Sequence, residues 1–307
     1  MKTHPLPSRT PVRVCLCAAV VASALAGSPA RAQAPACDGA CLKGFVDAYV
    51  GALAARDPKK LPVADGVKYT ENGRVLDLGE GFWHTAGAPL RYRDYLLDPD
   101  TGQAAALTAL KEHDGVAQLA VRLKIVDREI AEIETLVARV GDQRWFAPDN
   151  LEHLSDVFAQ PVAKSERHSR AELVAAATAY FNAIQTEGTP EFVQAPFAPG
   201  MKRFENGLQT TNVTEKPLLE RHTWSPDLQL ERAQYKGTNV MDRRYPVVDV
   251  EHGSVLAIAT FRRDGADTST LLLAEIFKVT GGKLREIRAV ILNLPNGAGT
   301  GWSTARN

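Results

Sequence analysis

Apolar residues first fall at helical spacing over Leu42, Phe45, Val46, Tyr49 and Leu53, and Asp57-Pro58 closes that element. A second helix is predicted where Ser169 and Glu172 form a capping box ahead of Leu173, Ala177, Tyr180, Phe181 and Ile184, ending near Gly188. After each helix the period changes to that of strands. Apolar runs at Ala104 to Leu110 and Val255 to Phe261 follow turns at Gly102 and Gly253. Further hairpins are expected at Val126 to Glu129 and at Thr280 to Lys283.

The two series repeat each other in the same order. With Tyr49 set on Tyr180, Leu42 meets Leu173, Ala48 meets Ala179 and Ala52 meets Ala183. Val67 to Gly73 answers Met201 to Gly207, both ending in Glu-Asn-Gly, and Asp98 to Gly102 answers Asp249 to Gly253. Ile130-Ala131-Glu132-Ile133-Glu134 answers Leu284-Arg285-Glu286-Ile287-Arg288. Each half therefore reads as one helix packed on a curved antiparallel sheet, an α+β arrangement in two tandem domains. The predicted division is a leader over 1–32, a first domain over 37–140, a linker over 141–167, a second domain over 168–296 and a tail over 297–307. An insert rich in polar residues, roughly 208–242, lengthens the second half.

The leader is predicted because Lys2, Arg9 and Arg13 precede an apolar stretch from Val14 to Gly27 and the triplet Ala30-Arg31-Ala32. That stretch is shorter than the roughly 20 residues that span a bilayer, so cleavage after Ala32 and export to the periplasm or medium are expected. Ser28 stands where a lipoprotein needs Cys. The whole chain balances 36 Lys plus Arg against 36 Asp plus Glu. Losing the leader removes four basic residues and leaves a mildly acidic protein. No basic run is present to track a phosphate backbone, so nucleic acid is not an expected partner. Nor is a membrane, once the leader is cut.

Cys37 and Cys41 are the cysteines left after cleavage, four residues apart at a helix start. Outside the cytoplasm such a pair reads as a local disulfide. The alternative, a metal site, lacks further cysteines or histidines at ligand spacing.

Cys37-Asp38-x-x-Cys41, Thr70-Glu71-Asn72-Gly73, Asp98-Pro99-x-x-Gly102-Gln103, Glu132-Ile133-Glu134-Thr135, Glu205-Asn206-Gly207-x-Gln209-Thr210-Thr211-Asn212 and Arg244-x-Pro246-Val247-Val248-Asp249 resemble a family of secreted fungal and bacterial proteins classed as a domain of unknown function. The resemblance spans nearly all of the mature chain. Many members of that family carry extra cysteines in the stretch matching 208–242, where this chain has none. Helix, Glu-Asn-Gly turn and long hairpins also resemble the cone-shaped nuclear transport factor 2-like superfamily, which includes the SnoaL-like polyketide cyclases. That resemblance implies a pocket between the helix and the sheet of each half. The superfamily holds lyases, isomerases, hydratases and binding-only domains, so the fold does not choose among them.

Within such pockets, Glu71 shares a strand face with Val67 and Tyr69. A carboxylate there would have a raised pKa and serve as a general base. The competing reading makes Glu71-Asn72-Gly73 and Glu205-Asn206-Gly207 plain turns, with Glu in water. His84, beside Trp83, is the second catalytic candidate, against the reading of a surface histidine. Tyr49, Tyr69, Trp83, Arg91 and Tyr92 are candidate ligand contacts in the first half, and Tyr180, Glu205, Arg244 and Tyr245 in the second. Arg91-Tyr92 and Arg244-Tyr245 could each grip a carboxylate or hydroxyl of a ligand. The first half is the favoured site, because the second puts Arg203 where the first has Tyr69 and an adjacent cation weakens Glu205 as a base. Asp98 and Asp249 read as residues that bond their own turns. Glu275 and Arg122, charges in apolar strands, read as positions on a sheet face open to water.

No Gly-x-Ser-x-Gly, phosphate-loop or His-Glu-x-x-His pattern occurs, and Gly297 to Gly301 has no helix after it. No metal or cofactor is implied. The expected function is binding of a small organic ligand, with a cofactor-free acid/base lyase, isomerase or hydratase as the alternative. Mass spectrometry of exported material should give a chain beginning at Gln33 and two mass units lighter than its reduced form. A retained leader or free thiols would contradict this.

Overall fold

A computed structural model describes Met1 and residues 37–142, 145–263 and 269–302. The leader over 2–32 and its cleavage point lie outside the described residues. From Cys37 on, the described residues form one compact unit holding two sheets of six strands.

The first half opens with α1 (Gly39–Ala54), whose N-cap Asp38 accepts from the Cys41 amide. Cys37 and Cys41 are joined as a disulfide across that first turn. Strands β1 (Val63–Glu71), β2 (Arg74–Leu76), β3 (Ala86–Asp98), β4 (Gln103–Glu112), β5 (Gly115–Val126) and β6 (Glu129–Ala138) follow, in sheet order β2-β1-β6-β5-β4-β3. The second half repeats this with α2 (Arg170–Gln185), β7 (Phe197–Glu205), β8 (Leu208–Gln209), β9 (Thr238–Asp249), β10 (Ser254–Arg263), β11 (Ser269–Thr280) and β12 (Lys283–Pro295), in order β8-β7-β12-β11-β10-β9. Its insert adds a short α3 (Pro226–Glu231). The capping box of Ser169 and Glu172 is present.

One feature departs from the expected antiparallel sheet: β1 runs parallel to β6, and β7 to β12. Three hairpins carry β3 to β6 back across the sheet with alternating direction, so the last strand reaches β1 pointing the same way.

The Glu-Asn-Gly turns are built alike. Asn72 and Asn206 adopt φ of 52° and 46°, the left-handed region that Asn tolerates. The Asn72 side chain exchanges hydrogen bonds with the backbone of Val137, and Asn206 with that of Ile291, so each amide extends the ladder of the neighbouring strand. At Gly207 a Cβ would collide with the carbonyl oxygen of Ala147, so the close approach of the linker requires glycine there.

Each helix covers one face of its sheet. The opposite faces pack on each other through Leu96, Leu107, Leu136, Val247, Ile276 and Val290. No strand face remains for Arg122 or Glu275 to turn to water, which corrects the open-face expectation. Arg122 lies in the layer between the sheets, bonded to Glu134 (2.8 Å), Glu132 (2.7 Å) and Gln103 (2.9 Å).

The same layer is crossed by reciprocal bonds. Asp98 accepts from the Val248 amide at 3.1 Å, and Asp249 accepts from the Leu97 amide at 2.9 Å. Each also caps its own turn, through Thr101 and His252. The turn role was legible, and the reach across the layer was not. Two ion pairs add to it, each with the acid from the first half and the arginine from the second: Asp94 with Arg288 (2.8 Å) and Glu134 with Arg244 (2.5 Å). The linker fills the margin with Leu151 and Phe158, both buried. The tail returns to the first half, where the Trp302 indole donates to Thr70 at 2.7 Å.

Truncating one partner of a buried pair leaves the other charged and under-bonded. Asp94→Ala should therefore cost about 3–5 kcal/mol in urea unfolding. Recovery should need all three charges removed, Asp94→Leu with Arg288→Met and Glu286→Leu, because Arg288 also holds the buried Glu286. A cost below ~1 kcal/mol for the single variant would place the clasp's strength elsewhere.

Candidate functional site

Strand pairing places equivalent residues of the two halves in equivalent rows. In the first sheet Glu71 pairs with Thr135, Thr135 with Val121 and Val121 with Ala106. In the second, Glu205 pairs with Ala289, Ala289 with Glu275 and Glu275 with Ala257. The second row thus carries two carboxyls separated and flanked by alanines, on the side facing α2. Where the first half has Val121, the second has Glu275.

Glu71 turns inward and is fully engaged. Its Oε2 accepts from the Tyr69 hydroxyl and from the Phe82 amide, both at 2.8 Å. The plain-turn reading is therefore right for Asn72 and Gly73 but not for Glu71. Trp83 meets Tyr49 edge to face at 5.5 Å, and Phe82, Trp83, Tyr49 and Tyr69 all belong to the buried core of this half. Burial raises the pKa of the Tyr49 and Tyr69 phenols, so both stay protonated.

The other first-half candidates do not join them. His84 is exposed and bonded to exposed Glu80 at 2.9 Å. Tyr92 faces the second sheet and donates to Asp94, while Arg91 is exposed. Neighbours on a strand point to opposite faces, so an Arg-Tyr pair cannot grip one group together. The same holds for Arg244, which meets Glu134 between the sheets, and Tyr245, which meets Thr178 of α2.

The second half contains a cavity of about 400 Å³ between α2, the sheet and the insert. Tyr180, Glu205 and Glu275 line it, with Trp145 from the linker and Arg221 and Tyr235 from the insert. The size falls in the range of small-molecule sites. No aromatic pair comparable to Phe82-Trp83 follows the Asn206-Gly207 turn in sequence, since the chain departs there into the insert. This cavity lies beside Glu205 and Glu275, in the half that the sequence did not favour.

Glu205 is held by Arg203 (2.8 Å) and by the Trp145 indole (3.0 Å). Arg203 is itself buried and fixed by Thr210 (3.0 Å) and by Gln229 of α3 (2.7 Å), so the insert sets the geometry of this ion pair. His222 packs edge-on to Trp145 at 5.7 Å, and burial lowers its pKa, keeping it neutral. Burial pushes the Glu275 carboxyl up to about 8; Arg203 opposes the shift and Glu205 adds to it. The cavity wall therefore combines an ion-paired carboxylate with a carboxylic acid that keeps its proton at neutral pH.

Residues 166–291 match the family model for a domain of unknown function, DUF8021. That span runs from ahead of α2 into β12 and includes both Glu205 and Glu275. No curated protein matches the chain.

Sequence reasoning named Tyr180 and Glu205 and set Arg203 beside Glu205, but missed Trp145, Arg221 and Tyr235 as parts of one site. The available signal was Glu275, a single acid in Leu271 to Ile276, which reads as an exposed position until the second sheet is known to cover the other face. A carboxyl with a folded pKa near 8 costs nothing below pH 4.5, where both folded and unfolded chains hold the proton. Between these values only the unfolded chain ionises, so stability falls as pH rises, and the loss is complete above pH 8. Glu275→Gln should therefore gain on the wild type by a few kcal/mol at alkaline pH, on the order expected for such a shift, and by little in acid. Chemical denaturation across pH checks this, and parallel curves would refute it.

Proposed function

We propose that the protein is exported and binds a small organic molecule in the cavity of its second half. The observation that carries this is a partly open cavity whose wall mixes apolar side chains with Glu205, Glu275 and Tyr180. A chain with a disulfide near its N-terminus, and with no helix among the described residues long and apolar enough to cross a membrane, suits export. One helix laid on each six-stranded sheet is also what the cone of the nuclear transport factor 2-like superfamily would require. On this reading the first half is a partner that braces the second, with Glu71 a structural residue.

A specific observation favours a second reading, acid/base catalysis without a cofactor. Glu205 and Glu275 stand two strands apart on one row, roughly 10 Å between backbones, with one ionised partner and one protonated acid. Such a pair has the protonation states that a lyase, isomerase or hydratase needs.

Anilinonaphthalene sulfonate should bind the purified protein and gain fluorescence. Ser269→Trp, at the mouth, and Leu273→Trp, inside, should each weaken binding about tenfold or more by filling the space. Circular dichroism is the control for folding. Unchanged dye binding in both folded variants would reject the cavity as the site.

A further inference from the structure

Unmet hydrogen-bonding capacity gathers around this cavity. Among the described residues, Glu275 Oε2, the Tyr235 hydroxyl, Thr238 Oγ1, Gln234 Oε1 and Arg221 Nε are buried without a partner, and all five side chains belong to the cavity wall. Buried polar atoms are ordinarily paired, so such a concentration marks a place where an occupant completes the bonding. Two of these groups carry protons to donate: the Tyr235 phenol, whose pKa burial raises, and the Glu275 acid. They suit an oxygen acceptor.

The charges of the same space suit an anion. Arg221 and Arg263 both line the cavity, while Glu205 is already paired with Arg203. The Arg221 guanidinium lies over the Trp145 ring at 5.3 Å, and the residue also borders an adjoining surface depression with Arg232 and Glu220. Arg263 donates to the Gln234 carbonyl, which leaves the rest of its fork available to a carboxylate. Of the two acids in the wall, Glu205 is paired with Arg203 and Glu275 is a protonated acid, while Glu187, near Arg263 and the Tyr235 backbone and pushed by burial up to about 7, is not part of the wall. The rest of the wall includes apolar side chains, Phe261, Leu271, Leu273 and Ile291.

Resting on the proposed binding function, we infer that the ligand is an amphipathic carboxylic acid whose carboxylate is held at Arg221 and whose distal carbonyl or hydroxyl oxygen is held by Glu275 and Tyr235. The charged end then forms charge-assisted bonds. The distal oxygen accepts from two neutral donors, and the apolar body packs on Phe261, Leu271, Leu273 and Ile291. Neither end requires Glu275 to ionise.

Four probes separate the parts of this inference: para-acetylphenylbutanoate, its methyl ester, para-ethylphenylbutanoate and the corresponding acetylphenyl amine, each titrated by calorimetry and by displacement of anilinonaphthalene sulfonate. The acetyl acid should bind best, with the ester and the ethyl acid each weaker by about tenfold, the worth of one charged or donor-matched hydrogen bond. Arg221→Gln should bring acid and ester to within about twofold of each other. Glu275→Leu should erase the preference for acetyl over ethyl, and Glu275→Gln, which keeps a donor, should restore it. Equal binding of acid and ester to the wild type, or preference for the amine, overturns the ligand class while leaving the cavity as a binding site. Failure of all four probes, together with dye fluorescence unaffected by Ser269→Trp and Leu273→Trp, overturns the binding function as well.

Discussion

Two aspartates hold the sheets face to face, and the rest of the molecule follows from that contact. Asp98 and Asp249 each cap their own hairpin turn with one oxygen and take a backbone amide of the other half with the second. These bonds fix the register of two stacked sheets at the corner where β3 meets β9. Once the sheets are stacked, every charge on their inner faces must find a partner there. Asp94 with Arg288 and Glu134 with Arg244 meet that demand with both acids from the first half and both arginines from the second, so neither half could form the layer with a copy of itself on the same terms.

The stacking also decides where a site can be. With one face of each sheet given to the other sheet, only the helix-facing sides can hold a cavity. The two halves then diverge through a few residues on one row. The first sets Val121 beside Thr135, engages Glu71 with Tyr69 and Phe82, and packs Trp83 into its core. The second sets Glu275 beside Ala289, keeps small side chains around it, and spends its longer insert on fixing Arg203. One repeat thus supplies rigidity, and the other supplies polar groups around open space.

The duplication, both helices, the capping box and the Asn-Gly turns were legible because each rests on local chemistry: spacing, caps and backbone conformations that few residues adopt. The pairing of β1 with β6 was not, since a parallel neighbour distant in sequence leaves no local mark. Glu275 and Arg122 were misread for one shared reason. Alternation along a strand separates two faces but does not say what covers each, and here both are covered. Tyr92 and Arg244 illustrate the same limit, as both turn to the layer between the sheets instead of to a ligand. Glu205 was placed correctly beside Arg203, yet its neighbours Trp145 and Tyr235 come from the linker and the insert, whose paths only the folded chain reveals.

The two halves share a frame, and the proposed binding site is the polar-lined space of the second. Crystals of the mature protein soaked with a library of small organic fragments test it most directly. The account predicts fragment density between Tyr180, Glu205 and Glu275, with the core around Glu71, Tyr69 and Trp83 unchanged. Fragments bound beside Glu71, or a second-half cavity that stays without any fragment while other surfaces take them up, would contradict it.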